Sequence, residues 1–212
     1  MATDKMAAVG KWNRLRRWIW PLVLVAGAGY FYFFNQFWTH VDPSGFQSLM
    51  VYEAPEMTAH RGRQILIHRD FLPAAETIRK LARTHGITLV VTQAYRPPGK
   101  RVTDAVVTPA VRSNHLAGHA LDMNPRLGWT TYTSKKMMAG DLPGAVRDFL
   151  AAVQAHPELR WGGVFSTPDP VHLDVAVNRR DPPRWARYYG DCSRDYFNAR
   201  PLWKVWLEKV YK

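Results

Sequence analysis

Between Ser113 and Asp122 the chain reads S-N-H-L-A-G-H-A-L-D, which puts two imidazoles and a carboxylate within eight residues. Further along comes D-P-V-H, Asp169 to His172. Two histidines and one carboxylate can fill three corners of a tetrahedral zinc site and leave the fourth to water. A further carboxylate near that open corner is what a hydrolase needs, because it can take the proton from the metal-bound water. Residue types alone leave a plain reading open as well. With eight histidines in 212 residues, some His/Asp clusters arise by chance. On that reading Asp122 is a turn carboxylate, Arg96 a surface arginine and His172 a satisfied strand histidine.

The elements that would carry these residues point to an α+β fold. Val171–Val177, VHLDVAV, alternates, with Val171, Leu173, Val175 and Val177 facing one way and His172, Asp174 and Ala176 the other. His172 thereby falls on the polar face of an otherwise buried strand. Asp174 shares that face, either as a partner of a metal ligand or as a plain solvent-exposed acid. Ile87–Tyr95 reads as a strand rich in β-branched residues, and residues 97–112 read as a loop opening on Pro-Pro-Gly. Asp70 can cap a helix from about Leu72 to His85, with Leu72, Ala75, Ile78, Leu81 and Ala82 on one face and Gly86 ending it. A second helix is expected over Pro143–Ala155, capped by Asp141, with Val146, Phe149, Leu150 and Val153 inward. Residues 39–60, with Pro43, Gly45 and Pro55, read as a linker.

Ahead of that linker, Trp18–Phe34 carries no charge. Taken through to Trp38 as a helix it spans about 32 Å, enough for a bilayer core of roughly 30 Å. Lys11, Arg14, Arg16 and Arg17 precede it, and the first positive charge after it is Arg61. The positive-inside rule then leaves the N-terminus in the cytoplasm and the rest outside. A cleaved signal peptide is the competing expectation, because Ala26-Gly27-Ala28 has the form of a cleavage site. Against cleavage, the apolar run continues through Tyr30–Phe34.

The net charge of +12 is concentrated at the ends. Residues 1–17 hold five Lys/Arg against one acid, residues 179–212 nine against four, and residues 18–178 fifteen against twelve. That distribution suits a membrane surface or an anionic wall polymer. No nucleic-acid-binding motif stands in the middle, so nucleic acid is not an expected partner. The single cysteine, Cys192, can form neither an internal disulfide nor a thiolate zinc site.

The pattern Ser-x-His-x-x-Gly-x-Ala-x-Asp followed by Asp-x-x-His resembles the D-alanyl-D-alanine carboxypeptidase and L-alanyl-D-glutamate endopeptidase family of zinc peptidases, which includes phage endolysins and wall-remodelling enzymes. Tyr95-Arg96 at a strand end and Trp161-Gly162-Gly163 ahead of Asp169 extend the resemblance over about residues 60–178. The Gly-Gly then Asp-Pro-x-His arrangement is closer to the endolysin-type endopeptidases, since a Glu commonly stands at the position of Asp169 in the carboxypeptidases. The resemblance implies a zinc ion held by His115, Asp122 and His172, with Asp169 as general base and then acid. It further implies Arg96 on substrate carbonyl or carboxylate groups and the oxyanion, and Ser113 in a supporting, substrate-side role. It leaves the position of His119 variable, so His119 is expected to line the cleft without binding metal. Leu173 departs from the pattern, which commonly has an aromatic there.

The expectation is therefore an α+β chain, with a small antiparallel sheet and flanking helices carrying a zinc site (the LAS-type peptidase fold) after one transmembrane helix. Its segments are a cytoplasmic basic tail (1–17), an anchor (18–38), a linker (39–60), the zinc peptidase domain (61–178) and a basic aromatic extension (179–212). In the extension Leu202, Trp203, Trp206, Leu207 and Val210 would line one face of a helix. The expected activity is hydrolysis of amide bonds in peptidoglycan stem peptides by an endopeptidase at the outer side of the cytoplasmic membrane. The alternatives are a D,D-carboxypeptidase or a non-catalytic zinc-containing wall-binding module, and the role is either host wall remodelling or phage lysis.

Overall fold

The computed structural model describes residues 17–31, 36–100 and 110–210. The basic tail up to residue 16, part of the expected anchor (32–35) and most of the expected 97–112 loop lie outside the described residues. A first helix, α1, is described over 17–31. Its apolar side chains stand out from the domain, with Trp18, Leu22 and Leu24 each about two-thirds or more exposed. Among the described residues the transmembrane span expected over 18–38 is not found: no helix there is long and apolar enough to cross a membrane.

Residues 39–60, expected as a linker, instead contribute strands β1 (Leu49–Val51) and β2 (Met57–Ala59). Next come β3 (Leu66–His68), α2 (Leu72–Thr84), β4 (Thr88–Gln93) and β5 (Ala120–Leu127). The chain continues through β6 (Thr130–Thr131), α3 (Ser134–Ala139), α4 (Gly144–Ala155), β7 (Arg160–Trp161) and β8 (His172–Asp174). Helices α5 (Val177–Arg180), α6 (Pro182–Asn198) and α7 (Leu202–Val210) complete the order. β1 pairs with β3. The larger sheet runs β2-β4-β5-β8-β7, with β6 on the side of β5. All its pairings are antiparallel except β2 with β4, so the class is α+β as expected.

Period-two alternation sorts the sheet into a dry face and a site face. Leu89, Val91, Leu121, Met123 and Leu173 lie within the core, packed with Ala75 and Ile78 of α2 and Val146, Phe149 and Val153 of α4. The inward residues expected for α4 are all buried, and Leu72 and Leu81 of α2 pack at the edge of the core. The opposite face carries Asp122 on β5 and His172 on β8, which sit directly across from each other in register. Both expected acidic caps fail. The residues at the helix starts are Phe71 and Pro143, neither making a side-chain cap bond. Asp70 instead accepts from the Tyr188 hydroxyl at 2.7 Å. Gly86 does follow α2 in the left-handed region, at φ +65°. The strand read over Val171–Val177 is shorter than expected: β8 ends at Asp174 and Val177 opens α5.

Beyond residue 178, α6 packs against the turn over residues 114–117 and against β1. Trp185, Tyr188, Cys192 and Asp195, three to four positions apart, form its buried face. Asp195 accepts the backbone N–H groups of Gln47, Ser48 and Leu49 at 3.0, 2.6 and 2.7 Å. α7 has no buried residue, and Trp206, Leu207 and Val210 are exposed on it.

Candidate metal centre

Each of the three expected ligands sits on a differently built piece of chain. Ser113 caps a 3-10 turn over Asn114–Ala117, its Oγ accepting from the His115 N–H at 3.4 Å. Gly118 then reverses the chain at φ +67°, where an added Cβ would lie 2.7 Å from the backbone nitrogen of His68. The reversal sends the chain straight into β5 and its third residue, Asp122. Beside it β4 carries a bulge, since Val91 pairs with Met123 and Gln93 with Asp122. The extra residue, Thr92, donates its hydroxyl to the Asp122 carbonyl at 3.2 Å.

His115 donates Nδ1–H to the Ala94 carbonyl at 2.7 Å, so its Nε2 is the lone-pair nitrogen. That Nε2 lies 3.0 Å from Asp122 Oδ1 and 3.1 Å from His172 Nδ1. His172 Nδ1 lies 3.1 Å from the same carboxylate oxygen. Three donor atoms thus converge on one point, and they form a group that could hold a metal ion. Ligands about 2.0–2.1 Å from a tetrahedral zinc stand roughly 3.3 Å apart, so donor set and spacing fit that ion. Burial pushes the Asp122 carboxyl up, but His115 and His172 overrule it and hold its pKa well below the usual range. Burial alone would lower His172, and Asp122 and Asp174 together raise it.

Asp169 lies on the loop before β8. Its N–H donates to the Gly162 carbonyl at 2.8 Å, and its own carbonyl accepts from the His172 N–H at 3.0 Å. A Cβ on Gly162 would lie 2.3 Å from that carbonyl oxygen, and one on Gly163 would run into the Trp161 ring. The Trp-Gly-Gly motif is thus a requirement for close approach. The Asp169 Oδ1 is buried and finds no hydrogen-bond partner among the described residues. Burial, then the nearby Asp122 charge, raises its pKa. Such a carboxyl is suited to taking up and returning a proton.

Arg96 is buried at 6% exposure, and desolvation lowers its pKa despite the Asp122 charge. It lines the same cleft as Ser113, His115, Asp122, Asp169 and His172, a cavity of about 1060 Å³. Ser113 is in addition a cap for the ligand-bearing turn. His119 does not line the cleft, contrary to expectation. The 3-10 turn stops at Ala117, so the helical four-residue spacing from His115 never forms. His119 is 4% exposed behind the turn, its Nδ1–H donating to the Ala117 carbonyl and its ring stacked on Tyr188 at 4.4 Å.

Asp174, Arg160 and Asn114 complete the surroundings. Asp174, for which two readings were open, is 1% exposed and accepts from His172 Nε2 at 3.1 Å, so the solvent-exposed reading is ruled out. Arg160 and Asn114 both donate to it. Asn114 falls on a variable position of the ten-residue pattern, and nothing in the sequence marked Arg160.

Among known proteins, residues 107–175 match the family model described as D-alanyl-D-alanine carboxypeptidase. The matched stretch contains Ser113, His115, Asp122, Asp169 and His172 and stops short of Arg96. The motif's resemblance to that family is therefore shown over this part of the chain. Among solved structures, the L-Ala D-Glu endopeptidase ChiX of Serratia marcescens is similar at 19% identity, covering 55% of this chain and 84% of that one, with a TM-score of 0.36. A likeness at that level bears on neither fold nor activity. No curated protein matches the chain.

Proposed function

We propose that the protein is a zinc-dependent peptidase that cuts an amide bond inside the stem peptide of peptidoglycan. The observation that carries this reading is the convergence of His115 Nε2, Asp122 Oδ1 and His172 Nδ1 beside Asp169, whose buried Oδ1 has no hydrogen-bond partner among the described residues and whose pKa is raised. Zinc held by the three would polarise the scissile carbonyl and lower the pKa of a bound water toward about 7. Asp169 would serve as the base that accepts a proton from the attacking water and as the acid that returns it to the leaving amine. Burial and the nearby Asp122 charge raise its pKa, which favours that second transfer. Arg96, buried at the cleft wall, holds the substrate carbonyl oxygen and steadies the negative charge that develops there. Ser113 keeps the His115 turn in place and offers its hydroxyl to the bound peptide.

The shape of the cleft favours an endopeptidase over a D,D-carboxypeptidase. Asp122 stands on the middle strand, and the cleft extends past β4 to Arg63 and past β8 to Phe165. A stem peptide can therefore lie on both sides of the centre. The lining includes Arg61, Arg63, Lys100 and Arg179, which complement the carboxylates of such a peptide. This function requires the domain to lie outside the cytoplasmic membrane.

The test is mass spectrometry of fragments released from purified peptidoglycan by zinc-loaded protein, with Asp169→Asn run in parallel. The expected result is peptides cut within the stem, with release slowed about 10²–10⁴-fold in the variant. Release of terminal D-alanine alone would assign a carboxypeptidase. No cleavage by the wild type would leave a wall-binding module as the better account.

A further inference from the structure

Behind the candidate ligands lies a buried polar network that the reaction above does not use. Its centre is Asp174. The Oδ2 of Asp174 accepts from His172 Nε2 at 3.1 Å, Asn114 Nδ2 at 2.8 Å and an Arg160 terminal nitrogen at 2.5 Å. Its Oδ1 accepts from Arg160 Nε at 2.8 Å. The guanidinium thus grips both carboxylate oxygens with parallel N–H groups, the geometry in which arginine exceeds lysine. Arg160 is itself kept in place by Phe165, over whose ring it lies at 4.9 Å. Asn114 adjoins His115 and ties the same carboxylate to the Val175 carbonyl and to Asn178.

We infer that Asp174, gripped by Arg160 and Asn114, is the positioning residue that fixes the ring and tautomer of His172 and thereby sets the metal affinity of the centre. The inference rests on the metal reading of His115, Asp122 and His172. The argument is one of lone pairs. A neutral imidazole has one N–H and one lone pair, and only the Nδ1 of His172 faces Asp122 and His115. The carboxylate at Nε2 requires the hydrogen there, so the lone pair is left on Nδ1 where the metal needs it. His115 is held in the opposite sense, because the Ala94 carbonyl requires its hydrogen on Nδ1 and frees Nε2. The two rings must therefore present different nitrogens, and Asp174 is the group that enforces this for His172. A carboxylate partner also makes the ring more basic, and hence a better ligand, than a carbonyl would. Arg160 is needed because an uncompensated charge buried this deeply, close to Asp122, would be costly.

A purely structural role is the rival account, since Arg160 and Asp174 are also cross-strand partners joining β7 to β8. The two accounts differ in metal affinity. The experiment is zinc competition against a chromophoric chelator on the full chain, comparing wild type, Asp174→Asn and Arg160→Lys. The visible spectrum of each cobalt-loaded protein serves as a second readout. Asp174→Asn is expected to weaken zinc binding about 10–100-fold and to shift the cobalt bands. Arg160→Lys, which keeps the charge but loses the fork, is expected to weaken it by a smaller factor. If Asp174→Asn does not fold, Arg160→Lys, whose side chain reaches the surface, decides in its place. Folded variants with wild-type affinity and an unchanged cobalt spectrum would overturn the inference and leave the metal reading standing. A wild type that takes up no zinc would overturn both.

Discussion

The imidazole of His119 is buried, at 4% exposure. It lies stacked on Tyr188 with His68 and Phe71 beside it. Burial lowers its pKa to about 4, and the His68 pKa is lowered for the same reason. An unfolded chain takes up a proton on His119 near pH 6.5, whereas the folded chain resists until about 4. Between those values the unfolded state binds more protons, so stability is flat for this group above pH 6.5 and falls as the pH drops toward 4. The loss is on the order of 3 kcal/mol. Urea unfolding of wild type and His119→Phe at pH 7.5 and 4.5 measures it: the variant should lose much less than the wild type on acidification. Equal losses would place the acid sensitivity elsewhere. The same residue marks a limit of spacing arguments. Four positions from His115 suggests a shared helical face, but Gly118 in the left-handed region breaks that face and sends the second ring inward.

At the level of elements, what could be read in the sequence depended on whether a segment served the core or the site. α2 and α4 announced themselves because their apolar residues recur at the helical period, and β4 because it is rich in β-branched residues. β5, the central strand, did not. Its A-L-D-M-N-P-R-L does alternate, with Asp122, Asn124 and Arg126 on the face that lines the cleft, but Pro125 within the run masks it. β8 was visible but overextended, since apolar alternation continued past Asp174 into residues that turn into α5. The acidic caps at Asp70 and Asp141 were plausible by type, yet a tertiary contact with Tyr188 claimed Asp70. The Trp161–Gly163 turn is the element most exposed to a one-atom test. Gly162→Ala pushes a methyl toward the Asp169 carbonyl, 2.3 Å away, and so displaces the base and the loop leading to His172. Turnover on peptidoglycan should fall about 10²-fold with the circular dichroism spectrum unchanged. Wild-type turnover would show that this close approach is not required.

Across the whole molecule, the site is built by distant parts of the chain held together from behind. α6 supports the His115 turn through Trp185, whose indole donates to the Ser113 carbonyl at 3.3 Å. It anchors the N-terminal strand region through Asp195. The sequence could single out the candidate ligands but not this scaffold, because contacts between residues 47–49 and 195 leave no local pattern. Asp195→Ala strips three backbone N–H groups of their acceptor and should cost about 3 kcal/mol or more in chemical denaturation. A cost below about 1 kcal/mol would show that other groups or water satisfy them.

The claim on which the rest depends is that His115, Asp122 and His172 form one metal centre, and zinc content measures it most directly. After metal stripping, equilibration with zinc and dialysis, elemental analysis should find about one zinc per wild-type chain. His172→Ala should retain nearly none, because two remaining protein ligands do not hold zinc firmly. Asp169→Asn should stay close to the wild-type content. A wild type that retains no zinc, or a His172→Ala protein that retains as much as the wild type, would contradict the account.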